Sequence, residues 1–242
     1  MHDSCRRALE VGLPAIAFTE HADWALVHQG QHPVDVHGYL DAVERCRAEF
    51  PDLRILTGVE LGEPHWFPEE TKAVLAAGPL DKVLGSIHSI RWEGEVLDAS
   101  QFRGREGIDF PAAVRDYFAE LVIMLESDQP FEALAHIDYP KRYWLQSIAP
   151  YREKDYEEEI RDVLAAAART GRVLEVNTTR GDFLCPDITV VRWWRELGGQ
   201  AVQYGSDAHQ PDKVAEGFKV ATQMVEAAGF KPARDPVSLW RR

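Results

Sequence analysis

The chain has 242 residues, of which 45% are hydrophobic and 28% charged, and its formal net charge is −13. That length suits one sizeable α/β domain, residues 1–242, and the acidic balance argues against a broad nucleic-acid surface. Cys5, Cys46 and Cys185 are far apart with no C-x-x-C spacing, and no apolar run reaches membrane-spanning length, so a reduced cytoplasmic protein with no membrane partner is expected.

The predicted elements alternate between helix and strand. A first helix over 6–11, which Asp3 or Ser4 can cap, stops at Gly12. A strand over 15–18 runs into Thr19-Glu20-His21, and a loop carrying His28, His32 and His37 leads to a helix over about 39–50. The strand over 54–59 ends in Glu60, and after a helix over about 69–77 the strand over 82–87 ends in His88. A long loop is expected over 90–108. A helix over about 110–126 follows, with Val114, Phe118, Leu121 and Leu125 at helical spacing.

The strand over 132–135 delivers His136, followed by Tyr139-Pro140-Lys141-Arg142. A helix over about 153–170 precedes the strand over 173–176, which ends in Asn177 and runs on to Arg180. A helix over about 188–197, which Gly198-Gly199 can close, leads to the strand over 201–204 and then Asp207 and His209. A last helix is expected over about 212–228. Short apolar strands alternating with helices call for a parallel sheet covered by helices.

His21, Glu60, His88, His136, Asn177, Asp207 and His209 all fall just after predicted strands. In a parallel barrel every strand's C-terminal end opens on one face, so these side chains can converge. One histidine at a strand end reads as an isolated buried or turn residue. Four of them, with a Glu and an Asp in equivalent positions, favour a divalent-metal site, because so many imidazoles and carboxylates are costly to bury without cations. Asp207 and His209 are two apart and, in extended backbone, would leave the strand end on the same side.

Phe18-Thr19-Glu20-His21, Gly58-Val59-Glu60, Gly85-Ser86-Ile87-His88-Ser89, Ala135-His136-Ile137-Asp138 and Ser206-Asp207-Ala208-His209 together resemble the polymerase and histidinol phosphatase (PHP) superfamily, most closely its histidinol-phosphatase-like branch. The resemblance runs from Gly12 to about His209. It implies a distorted (β/α)7 TIM-like barrel with a cluster of up to three divalent ions at its mouth, zinc foremost, with manganese or iron as alternatives. By motif, Glu60 would bridge two ions, His88 and His136 would complete the second, Asp207 would serve the first, and His21 with His209 the third. Arg180 and Arg142 are candidates for gripping a phosphate through a bidentate fork, with Asn177 and His65 as further substrate contacts.

The implied reaction is hydrolysis of a phosphoric monoester, histidinol phosphate to histidinol and phosphate, as in histidine biosynthesis. A metal-activated water would attack, and Asp207 or His209 would help remove its proton. No Ser-His-Asp or Cys-x5-Arg nucleophile motif is visible, which disfavours a phospho-enzyme. Two rivals are a non-catalytic metal- or phosphate-binding domain and a phosphoesterase acting on a nucleotide or nucleic-acid end; the net charge of −13 weighs against the latter. Members of the family begin with a strand carrying His-x-His, whereas this chain begins Met1-His2-Asp3. The expectation is therefore a barrel without its first strand, fewer ions and impaired turnover. A start placed too late or a trimmed chain is favoured over a degenerate member. Oligomeric state is left open.

Overall fold

Parallel strands need long crossovers, and here each crossover is long enough to hold a helix that covers the sheet. The computed structural model describes residues 1–105, 107–144, 150–181 and 183–242, with the backbone alone at 104, 180 and 183. In chain order its strands are β1 (Ala15–Asp23), β2 (Arg54–Gly62), β3 (Lys82–Ser86), β4 (Ser89–Trp92) and β5 (Glu95–Asp98). They continue as β6 (Ala133–Leu134), β7 (Val173–Arg180), β8 (Phe183–Cys185), β9 (Ala201–Gly205) and β10 (Trp240–Arg241). The helices are α1 (His2–Glu10), α2 (Trp24–Val27), α3 (Val36–Glu49), α4 (Pro68–Ala76), α5 (Phe110–Glu126), α6 (Glu157–Arg169), α7 (Ile188–Glu196) and α8 (Phe218–Ala227).

The main sheet runs β1-β2-β3-β6-β7-β9, every neighbouring pair parallel, with β10 antiparallel on the outer edge of β9 and β8 antiparallel on β7. It curls into a half-barrel, an α/β architecture consistent with the distorted TIM-like barrel expected. Among the described residues β1 pairs only with β2, so it forms one edge of the sheet. Between β1, β9 and the segment 232–239 lies a cleft of about 820 Å³. Its end at the C-terminal side of the strands is lined by His21, Glu60, Asn177, Asp207 and His209.

The largest core joins α5, α6 and α7 to the inner strands, with Tyr117, Phe118, Leu121 and Trp194 fully buried. Asp109 caps α5 by accepting from Ala112 N at 3.1 Å. Trp194 Nε1 donates to the Ala201 carbonyl at 3.0 Å, and a Cβ on Gly199 would enter the indole. Gly198, at φ +96°, closes α7 as its sequence position predicts. No helix among the described residues is long and apolar enough to cross a membrane.

Several boundaries differ from the sequence reading. α3 starts at Val36, because Asp35 accepts from Gly38 N at 3.0 Å and caps it three residues early. β1 does not stop at Phe18 but stays paired with β2 as far as Asp23, which lies opposite Gly62. The expected loop over 90–108 holds a hairpin, β4 with β5, turned by Glu93 and Gly94 at φ +49° and +85°. A 3-10 helix, Ala99–Gly104, follows under an Asp98 capping box.

Candidate metal centre

Each group of the centre is delivered by the end of a strand. The β1–β2 register sets His21 opposite Glu60, while His88 follows β3 and His136 follows the short β6. Glu60 Oε1 stands 2.8 Å from His136 Nε2 and 3.1 Å from His88 Nε2, and the two imidazole nitrogens are 3.2 Å apart. Ligands held at 2.0–2.1 Å around a tetrahedral ion lie about 3.3 Å from one another, so this triad already has the spacing of such a face. His21 joins Glu60 and His88 in one group whose ligand atoms lie within 4.8 Å of each other, and joins Asp207 and His209 in a second. These two overlapping groups share His21.

All three imidazole–carboxylate partners are tightly enclosed: Glu60, His88 and His136 are 5%, 4% and 1% exposed. Burial opposes charge on Glu60, yet His136 and His21 hold its carboxyl well below the usual range. Burial likewise opposes charge on His21, and Glu60 with Asp23 overcomes it, carrying the imidazole up to about 9. Two imidazole Nε2 atoms and a carboxylate oxygen converging in so dry a place is a donor set that a divalent cation satisfies. The residues present fit zinc, and equally manganese or iron.

Asp207 lies on the far side of the centre. Its Oδ2 accepts from Arg142 Nη1 at 2.9 Å and stands 3.4 Å from Asn177 Nδ2. The structure corrects how Asp207 meets His209: Asp207 is not extended but left-handed, at φ +48°, two residues beyond the end of β9. A turn, not the alternation of a strand, brings the two together, and His209 Nδ1 stands 3.0 Å from the Asp207 carbonyl oxygen. His209 is exposed, with 70% of its side chain accessible.

Arg142 sits in the 3-10 helix Tyr139–Tyr143 and is buried, with its Nε and Nη2 lacking a hydrogen-bond partner among the described residues. The Cys185 thiol neighbours the same guanidinium. Arg180 ends β7, and its side chain lies outside the described residues. His65 is placed elsewhere than expected. Glu63 at φ +45° turns the chain after β2, and His65 Nε2 then meets Glu120 of α5 at 2.5 Å, beside the bond from Trp66 Nε1 to the same oxygen at 2.6 Å. His28 rests edge-on against Phe67, and His28, His32 and His37 are exposed.

Three carboxylates of the centre escaped sequence reasoning. Asp23 contacts both His21 Nδ1 and His88 Nδ1 at 2.9 Å. Glu175 Oε2 accepts from His136 N and Asn177 Nδ2, each at 3.1 Å, and burial, then Glu60 and Asp207, pushes its carboxyl up to about 7. Its signal was a lone acid in the apolar run Val173-Leu174-Glu175-Val176. Glu63 Oε1 accepts from His88 N at 2.5 Å and Ser89 N at 2.7 Å, bracing the turn that aims His88.

Burial pushes the Glu63 carboxyl from 4.5 up to about 8. Between those values the folded protein holds a proton that the unfolded chain has released, so stability falls as pH rises from about 4.5 to 8. Glu63→Gln keeps the accepting oxygen and removes the titration. Its stability relative to the parent should rise from pH 5 to pH 8 by on the order of 1–3 kcal/mol in metal-free protein. Thermal melts across that range check it, and a pH-independent difference contradicts it.

A family model described as PHP domain matches residues 1–179. A protein of Clostridium acetobutylicum named "Probable histidinol-phosphatase" is 29% identical over 220 residues, 90% of this chain and 83% of that protein. The "Histidinol-phosphatase" of Lactococcus lactis subsp. lactis is 26% identical over 234 residues, 92% of this chain and 83% of that protein. Among solved structures, histidinol phosphate phosphatase of Lactococcus lactis subsp. lactis, complexed with zinc, L-histidinol and phosphate, superposes with a TM-score of 0.74 at 21% identity, covering 94% of this chain and 86% of that one. That likeness speaks for the fold.

Proposed function

The chain belongs to the PHP domain family, on the branch of its histidinol-phosphatase relatives, and from that premise we propose that it is a metal-dependent phosphatase hydrolysing histidinol phosphate to histidinol and phosphate. The observation that carries the reading is the Glu60–His88–His136 triad, spaced as ligands of one ion and flanked by His21, Asp207 and His209 at one end of an open cleft. Glu60, His88 and His136 would hold one cation, with His21, Asp207 and His209 holding another. Divalent cations bound there supply Lewis-acid chemistry, acidifying water and screening charge on a phosphoryl group.

The chain's own residues do the rest. Glu175 is tied to the His136 backbone and to Asn177, which fixes the strand ends that carry the ligands. Arg142 anchors Asp207 through one nitrogen and has two further N–H donors for phosphate oxygens. His209, exposed at the rim, would complete the second cation's ligands with His21 and Asp207 on the side open to water and substrate. The first two residues are buried and preorganised; the third is open to solvent and to substrate.

Comparison of substrates tests this. With zinc or manganese supplied, kcat/KM for histidinol phosphate should exceed that for an aryl phosphate by at least about tenfold, on the order of 1.4 kcal/mol of specific transition-state binding. A nucleotide or a phosphorylated DNA end turned over faster than histidinol phosphate would overturn the substrate assignment while leaving the metal chemistry in place.

A further inference from the structure

Asp23 is part of neither ligand group, yet it touches two residues that are. Its Oδ1 stands 2.9 Å from His88 Nδ1 and its Oδ2 2.9 Å from His21 Nδ1, so one carboxylate spans imidazoles from β1 and from the β3–β4 turn. Only 10% of its side chain is exposed. A neutral imidazole carries a single N–H, and an acceptor at Nδ1 holds that hydrogen there and leaves a lone pair on Nε2. For His88 that lone pair faces Glu60 Oε1 and His136 Nε2, at 3.1 and 3.2 Å. For His21, with Nδ1 taken by Asp23, Nε2 is the nitrogen left to serve the groups it forms with Glu60 and with Asp207.

The carboxylate's place is set by backbone register. Asp23 pairs with Gly62 across the β1–β2 ladder, and a Cβ on Gly62 would overlap Asp23 Oδ1. A glycine inside a strand weakens it and commonly marks a close approach by another group. Here the approaching group is the side chain of the neighbouring strand.

We propose that Asp23 is the positioning residue of this centre. It fixes the Nδ1–H form of His21 and His88 together, so that both present Nε2 to cations, and Gly62 is the residue that makes room for it. The inference rests on the metal-dependent reading above.

An amide differs from a carboxylate in a way that exposes this role. In Asp23→Asn one imidazole keeps its acceptor, while the other meets an N–H that only an Nδ1 lone pair can accept. That second ring must then carry its hydrogen on Nε2 and cannot ligate. Gly62→Ala displaces the carboxylate without altering any imidazole or any charge. The full chain and both variants would be titrated with zinc against a chromophoric chelator at fixed pH. Histidine-labelled, zinc-loaded protein would be examined in parallel by 15N–1H NMR.

Both variants should bind zinc roughly 10- to 100-fold more weakly. Wild type should show slowly exchanging Nδ1–H resonances from His21 and His88, and Asp23→Asn should lose one. If Asp23→Asn does not fold, Gly62→Ala decides through the same affinity measurement. Zinc affinity within about threefold of wild type in the folded variants would overturn the positioning role and leave the phosphatase reading intact. A wild-type chain that binds neither zinc nor manganese would overturn both.

Discussion

Glu60→Gln is expected to give a folded protein that retains little zinc and loses at least about 1,000-fold in kcat/KM, on the order of 4 kcal/mol of transition-state stabilisation. Glu60 Oε1 stands 2.8 Å from His136 Nε2 and 3.1 Å from His88 Nε2, and Glu60 also belongs to the group formed with His21. Glutamine fills the same volume but brings no charge, and its N–H donors compete with a cation for the lone pairs of His88 and His136. The metal-free fold should still form, because glutamine keeps the volume of the buried side chain and the facing imidazoles can go neutral once the carboxylate is gone. Metal content by mass spectrometry, melting temperature and phosphate release together check it. Retained zinc with activity within tenfold of wild type contradicts it.

Arg142→Lys is expected to lower kcat/KM by about 100-fold, roughly 2.7 kcal/mol, while changing stability little. The lysine keeps a positive charge for Asp207, which Arg142 Nη1 holds at 2.9 Å, so the buried ion pair survives. What it loses is the planar fork, whose buried Nε and Nη2 are the donors proposed for a phosphate. Arg142→Met is the contrasting case. It strands Asp207 and should cost about 3 kcal/mol of stability as well. If the lysine variant melts as low as the methionine variant with kcat/KM unchanged, Arg142 is a structural partner only.

Much of the centre was legible because metal chemistry uses few residue types. Imidazoles and carboxylates following successive apolar strands of a βα pattern must share a face, and His21, Glu60, His88, His136 and Asp207 do meet. Asp23 was not legible, since β1 was expected to end at Phe18. Once the strand is known to reach Asp23, His21 and Asp23 fall on the same face by simple alternation, with Gly62 opposite. Glu175 was passed over because the apolar run around it reads as strand, and a single acid does not break that pattern. His65 failed for the converse reason: nearness to Glu60 in sequence was taken for nearness in space, and the left-handed turn at Glu63 sends it toward α5. Asp207 and His209 meet through a turn at φ +48° that no spacing argument could supply.

The hairpin β4–β5 shows the same limit at the level of the fold. Glu93-Gly94 is a turn signal, but the flanking strands are four residues each and too short for alternation to separate from loop. The six parallel strands, by contrast, were recognisable from the order of apolar runs and helices alone.

The most direct measurement is phosphate release from histidinol phosphate by the purified chain, with bound metal counted on the same samples before chelation, after it, and after zinc is restored. At least two zinc ions per chain are expected, with no release once they are removed and recovery in proportion to the zinc that returns. Release that persists in metal-free protein, or a chain that binds no divalent metal, would contradict it.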